Sequence, residues 1–201
     1  MIRVLIAEDQ NLLREALTSI LSHEGDIEVV AEVARGDRVV AAARAAAPDV
    51  ALLDIELPGV DGLAVTAQLA ADVPTCRSLI LTVFSRPGYL KRAFAAGAAG
   101  FVLKDVSARD LAAAIRRVAS GERVIDPRLA VSAIEHGDNP LTPREREILL
   151  MSSEGQTAGE VARKLAIAEG TVRNHLSVAI QKLHARSKVE AARLAERRGW
   201  L

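Results

Sequence analysis

Val50-Ala51-Leu52-Leu53-Asp54 is an apolar run that ends on a carboxylate, and three other runs repeat the arrangement. Ile2-Arg3-Val4-Leu5-Ile6-Ala7 meets Glu8 and Asp9. Leu79-Ile80-Leu81 meets Thr82, and Gly100-Phe101-Val102-Leu103 meets Lys104. Short apolar runs alternating with helical stretches read as buried parallel strands of a βαβ sheet. Parallel strands all end at one edge, and that edge is where such sheets place their sites. Glu8, Asp9, Asp54, Thr82 and Lys104 are therefore predicted to converge, a set suited to a divalent cation and a phosphoryl group.

The rest of the N-terminal part keeps the alternation. Strands are expected near 2–7, 27–32, 50–54, 78–83 and 100–103, and helices near 11–23, 36–46, 61–70, 87–96 and 107–119. Leu12, Leu13, Ala16, Leu17, Ile20 and Leu21 are expected to give the first helix a buried stripe at the i, i+3/i+4 spacing. Ser107 followed by Asp110 predicts a capped start for the fifth helix. The fold class is α/β, a doubly wound five-stranded parallel sheet over residues 1–119. After Gly121, Asp126-Pro127 reads as an N-cap with proline at the first helical position, opening a short helix near 127–136. His136 to Pro140 is the linker candidate, so residues 120–140 form the connection.

Glu8, Asp9 and Asp54 cannot crowd together unaided. Two like charges 4 Å apart repel by about 4 kcal/mol at an effective dielectric near 20, so either a proton or a cation must join them. Hard oxygen donors favour Mg²⁺, which keeps several waters and accepts phosphate oxygens. Asp54, at the centre of the edge, is the expected nucleophile for a phosphoryl group. Lys104 would neutralise that group and Thr82 would hydrogen-bond it.

Composition removes several function classes. Apolar residues make up 50% of the 201 and aromatic ones 2%, so the core is aliphatic. No apolar run approaches the roughly 20 residues of a membrane span, and no signal-peptide pattern follows Met1, so a cytoplasmic location and no membrane partner are expected. The single cysteine, Cys76, excludes an internal disulfide and a thiolate zinc cage, and it reads as an incidental thiol before the fourth strand. Residues 140–201 hold 11 Lys+Arg and 7 Asp+Glu, a net of +4. The remaining 15 and 19 of the 26 and 26 give −4. An acidic half joined to a basic half suggests modules with different partners.

The basic tail, 141–201, reads as four helices. Thr142-Pro143 with Glu145, Thr157 with Glu160, Glu169-Gly170-Thr171, and Ser187 with Glu190 mark their starts; Gly155 ends the first and the third is expected to run to about Arg186. The second and third, with Ile167 packed under the turn between them, make a helix-turn-helix whose second helix would enter the DNA major groove. Its exposed start carries Thr171, Arg173, Asn174, His175 and Ser177, and Arg and Asn suit guanine and adenine edges. Val172, Leu176, Ile180 and Leu183 form the core-facing stripe. A solvated polar face is the plainer reading of the same pattern.

Residues 1–119 resemble the receiver domain of two-component response regulators. The matching text is the pair Glu8-Asp9, Asp54 in L-L-D-I-E-L-P-G-V-D-G, Thr82, and G-F-V-L-K ending at Lys104. The resemblance implies a flavodoxin-like receiver with Asp54 as phosphoacceptor for a sensor histidine kinase. It also implies Mg²⁺ on Asp9, Asp54 and the Glu56 carbonyl with Glu8 assisting, and Thr82 and Phe101 as the pair that moves on phosphorylation. Asp105 stands where many receivers have proline. Residues 141–198 resemble the NarL/FixJ (LuxR-type) DNA-binding domain through L-T-P-R-E-R-E-I-L, E-V-A-R-K-L-A-I and G-T-V-R-N-H-L. That resemblance implies Arg173, Asn174 and Ser177 at bases and Thr157, Thr171 and Lys182 near phosphates of double-stranded DNA; Ala158-Gly159 replaces the usual small-polar pair. R-P-G-Y-L at 86–90 and the ending R-G-W-L resemble a DesR-like subgroup. This implies a homodimer on phosphorylation through the first and fifth helices, with the fourth helix and fifth strand as runner-up; Val118 beside Arg117 is a candidate patch. The expected function is a phosphorylation-controlled transcription factor and not an enzyme. An aspartate-based phosphatase or phosphotransferase and a constitutive DNA-binding protein are the competing readings.

Overall fold

A computed structural model of the chain describes residues 1–83, 87–129 and 139–201, with the backbone alone at Pro87. The chain divides into two compact units, each described by itself.

The first unit alternates strand and helix: β1 (Ile2–Ala7), α1 (Asn11–Ser22), β2 (Ile27–Val33), α2 (Val39–Ala46), β3 (Val50–Leu53), α3 (Gly62–Asp72), β4 (Arg77–Thr82), α4 (Pro87–Ala95, which belongs to this unit from Leu90 onward), β5 (Gly100–Leu103), α5 (Ala108–Ala119) and β6 (Val124–Ile125). A 3₁₀ turn, Gly36–Arg38, precedes α2, where a continuous helix from 36 was expected. The sheet order is β2-β1-β3-β4-β5-β6, all parallel. It has six strands, not five. The sixth is two residues long, too short for its alternation to register in sequence.

Alternate strand residues point to opposite faces. Val4, Ile6, Val50, Leu52, Leu79, Leu81 and Val102 pack against Leu17 and Leu21 of α1 and Leu111, Ile115 and Val118 of α5. Leu5, Leu53, Ile80 and Phe101 fall on the other face and are equally buried. Two expectations about helix faces fail. Leu12 and Ile20 are exposed (82% and 38%), because only one side of α1 meets the sheet, while Val118 is fully buried. Cys76 is buried, and burial pushes its thiol up to about 12, which makes it an inert packing residue. Asp126 accepts the Arg128 amide as an N-cap, and 127–129 are helical. The rest of the helix expected to 136, and His136–Asp138 of the linker candidate, lie outside the described residues.

The second unit contains α6 (Pro143–Ser153), α7 (Ala158–Leu165), α8 (Glu169–Lys182) and α9 (Lys188–Arg197). Thr142 with Glu145 and Thr157 with Glu160 form full capping boxes. Ser187 caps α9, with Glu190 reaching back to the Arg186 amide instead. Gly155 follows α6 at φ +92, the left-handed position that glycine takes without strain. Helix α8 stops at Lys182, four residues before the expected Arg186, because His184 turns left-handed at φ +52. Val172 and Leu183 are buried and Leu176 and Ile180 partly so, as the stripe predicts; Ile167 packs on Ile148, Val161, Ala162 and Val172.

The turn from β3 into α3 sets the position of Asp54. Asp61 caps α3, accepting the amides of Leu63 and Ala64, and Gly62 lies against the strand end so closely that a Cβ there would stand 2.0 Å from the Asp54 carbonyl oxygen. Gly→Ala in a helix normally gains about 1 kcal/mol. Gly62→Ala is expected to lose about 1–3 kcal/mol instead, measured by urea denaturation followed by circular dichroism.

Candidate phosphoryl site and nucleic-acid interface

β1 leads through α1 to β2 on one side, and β2 returns through α2 to β3 on the other side of β1, so the strand order reverses between β1 and β3. A crevice opens at the carboxyl ends of the strands at such a switch point. Glu8 and Asp9 leave β1 there and Asp54 leaves β3 beside them, its amide bonded to the Ala7 carbonyl at 3.0 Å. One carboxylate oxygen each from Glu8, Asp9 and Asp54 lies within 4.8 Å of the others. Glu8 and Asp54 are buried and Asp9 is exposed, so the trio is reached from one side.

Lys104 arrives from the end of β5, its amide held by the Thr82 carbonyl at 2.8 Å. Its ammonium bonds Glu8 Oε2 at 2.7 Å and Asp54 Oδ2 at 2.8 Å. Burial pushes the Glu8 carboxyl up, and the Lys104 ammonium only partly offsets this. Burial would lower the Lys104 ammonium, but its bonds to Asp54 and Glu8 outweigh it and hold the ammonium above its ordinary value. Asp54 Oδ1 accepts the Ile55 amide at 2.6 Å, which fixes the carboxylate plane. Thr82 and Phe101 are both fully buried and, by strand alternation, share the sheet face opposite α1 and α5. Glu56 is exposed in the loop after Asp54. The Lys104–Asp105 peptide is trans. Three convergent oxygen donors beside a half-buried ammonium fit a hard, partly hydrated cation such as Mg²⁺.

In the second unit Thr171, Arg173, Asn174 and Ser177 are all exposed along α8, opposite the buried stripe. Arg173 is tied to Glu169 at 2.5 Å, an exposed pair one turn away. Thr157 spends its hydroxyl on the α7 capping box. Lys182 bonds both Glu145 oxygens, at 2.9 and 2.7 Å, so the end of α8 is tied to the start of α6. The reading of Lys182 as a phosphate contact missed this partner, which lies 37 residues away. Arg163 and Lys164, exposed on α7, add positive charge that the sequence reading passed over.

The pattern of the response regulator receiver domain matches residues 4–116, and that of the bacterial regulatory proteins of the luxR family matches 139–195. The chain is a NarL/FixJ-type response regulator. It is 43% identical over 201 residues to the uncharacterized transcriptional regulatory protein YvfU of Bacillus subtilis (strain 168), covering 100% of each chain. It is 41% identical over 200 residues to the transcriptional regulatory protein DesR of the same strain, covering 100% of this chain and 99% of DesR. The crystal structure of response regulator ChrA of a heme-sensing two-component system is 32% identical with a TM-score of 0.60, covering 100% of this chain and 98% of that one. An RcsB–DNA complex shares the fold at 22% identity and a TM-score of 0.70, with 98% of each chain covered. This regulator is thus a receiver followed by a LuxR-type helical domain, the class of a transcriptional regulator.

Burial alone would raise the Glu145 carboxyl; the Lys182 ammonium and the Thr142 amide more than offset this and hold it below its ordinary 4.5. A lowered folded value means stability present above the unfolded pKa and lost as pH falls through the folded one. Glu145→Gln is therefore expected to cost about 1 kcal/mol at pH 7, with the difference from wild type closing as pH falls below 4.5. The only tryptophan, Trp200, is buried in this unit, and its fluorescence during denaturation reads the effect.

Proposed function

We propose that a sensor histidine kinase phosphorylates this regulator on Asp54, and that phosphorylation promotes dimerisation and sequence-specific DNA binding. The observation that carries the reading is the bonding of one half-buried ammonium, Lys104, to both Glu8 and Asp54 at the switch point of the sheet. A magnesium ion held by Asp9, Asp54 and the Glu56 carbonyl, with Glu8 assisting through water, would supply positive charge against the phosphoryl oxygens. An Asp54 carboxylate oxygen attacks phosphorus, forming a P–O bond. The P–N bond to the kinase histidine breaks, and its electron pair leaves with the imidazole, which takes up a proton. Lys104 then passes from the free Asp54 oxygen to a phosphoryl oxygen, and the Thr82 hydroxyl binds another. Phe101, on the same sheet face as Thr82, follows that movement.

Dimerisation is assigned to α1 and α5, and the exposed Leu12 and Ile20 give α1 the apolar surface this needs. In the second unit Arg173, Asn174 and Ser177 read bases, while Thr157, Thr171 and Lys182 meet phosphates. An ammonium has three donors, so Lys182 can hold Glu145 and still face a phosphate. Binding chromosomal DNA places the regulator in the cytoplasm.

Acetyl phosphate with Mg²⁺ tests the first part. Intact-mass analysis is expected to show one phosphoryl adduct on the wild type and none on Asp54→Ala; an undiminished adduct on the variant would remove the assignment.

Base and phosphate contacts separate in a second comparison. Asn174→Ala is expected to lose about 1–3 kcal/mol on a specific duplex and little on a scrambled one. Lys182→Ala should weaken both alike and flatten the salt dependence. An unchanged specific-to-scrambled ratio for Asn174→Ala would exclude α8 as the reader.

A further inference from the structure

Arg128 lies beyond β6, outside the set of residues that hold or receive the phosphoryl group, yet its guanidinium reaches back to the turn that follows Lys104. Its Nη1 and Nη2 donate to the two Asp105 oxygens at 2.7 and 2.8 Å, a bidentate fork on the residue directly after Lys104. Its Nε and Nη2 also donate to Asp126, at 3.1 and 2.7 Å, and Asp126 is buried. Asp126 in turn is fixed to β5, because its amide donates to the Phe101 carbonyl at 3.1 Å. The contacts close a ring that runs from Phe101 through Lys104 and Asp105 to Arg128, and back through Asp126 to Phe101. Lys104, Asp105 and Arg128 also line one open groove with Val83 and Leu103.

We propose that Arg128 is a positioning residue for the phosphoryl site. Through Asp105 it holds the turn that carries Lys104, and through Asp126 it anchors that turn to β5. The inference rests on the reading of Asp54 as phosphoacceptor. A proline after Lys104 would restrict this turn through its own ring. Aspartate has no such restriction, and here an arginine fork supplies it. The planar fork matters: an ammonium at 128 is a single point of charge and could not reproduce the bidentate bonds to Asp105 together with those to Asp126.

The full-length protein tests this with Asp105→Asn, Arg128→Gln, Arg128→Lys and the double variant D105N/R128Q. Acetyl phosphate with Mg²⁺ serves as phosphodonor, and the rate constants for gain and loss of the phosphoryl group are followed by intact mass well below each unfolding midpoint. Each single variant is expected to change at least one rate constant by about tenfold, inside the roughly hundredfold that a 1 Å misplacement can cost. The double variant should match the singles instead of multiplying them, and Arg128→Lys should not restore the wild-type value. Asp105 is mostly exposed, so D105N guards against a folding defect. Amide hydrogen exchange supplies a second arm, with faster exchange expected at residues 104–106 in R128Q. Singles within twofold of wild type, multiplicative effects in the double variant, or unchanged exchange would each overturn the proposal. A wild type that takes up no phosphoryl group would instead remove the Asp54 reading, and the exchange arm would still decide the role of Arg128.

Discussion

A half-buried ammonium between two buried carboxylates is the constraint around which the receiver is arranged. Lys104 and its partners come from the ends of β5, β1 and β3, so the pairing exists only when three strands are in register. Burying charge is expensive unless geometry and partners compensate. Here the compensation is unequal, since Glu8 remains raised beside a lysine bonded to both carboxylates. A site with surplus buried negative charge is disposed to accept a cation. The same lysine stands ready for an anion delivered to Asp54. Metal affinity and phosphoryl chemistry are thus two consequences of one electrostatic arrangement.

The scaffold keeps that arrangement in place mostly by short backbone devices. The Asp54 amide is bonded to β1, the Lys104 amide to β4, and the Ile55 amide to the Asp54 side chain. Gly62 lets α3 begin against the Asp54 carbonyl. None of these contacts is large in energy, but each removes a direction in which a functional group could drift. The ring through Asp105, Arg128 and Asp126 belongs to the same class of device, with a side-chain fork in the place of a backbone bond.

The second unit uses capping in a comparable way. Its helices are 8 to 14 residues long, and helices of that length are marginal alone. Capping boxes at Thr142 and Thr157 satisfy the exposed amides, and Glu145 extends its box to Lys182 of α8. The helix that presents Arg173 and Asn174 is therefore held at its far end by an ion pair on the cap of another helix. Presentation of the exposed face depends on contacts made at the opposite end of the element.

Much of this was legible in sequence. The apolar runs and their polar ends located β1, β3, β4 and β5 and four of the converging groups, because strand period and end chemistry are local properties. The cap signatures located the starts of α6, α7 and α9 for the same reason. Other features were not local. Periodicity showed that α1 carries many apolar residues but not that Leu12 and Ile20 face solvent, and it could not show that Val118 faces the core. Which side of a helix meets a sheet is decided by the whole packing arrangement. β6 is too short to carry a period. The partners of Lys182 and Arg128 depend on segments brought together only by folding. The sequence by itself determined the fold class, the strand-end chemistry and the helix caps, since each follows from residues within a few positions of one another. Only the tertiary structure decided which apolar faces are covered and which charges pair, because those depend on distances in space between residues remote along the chain.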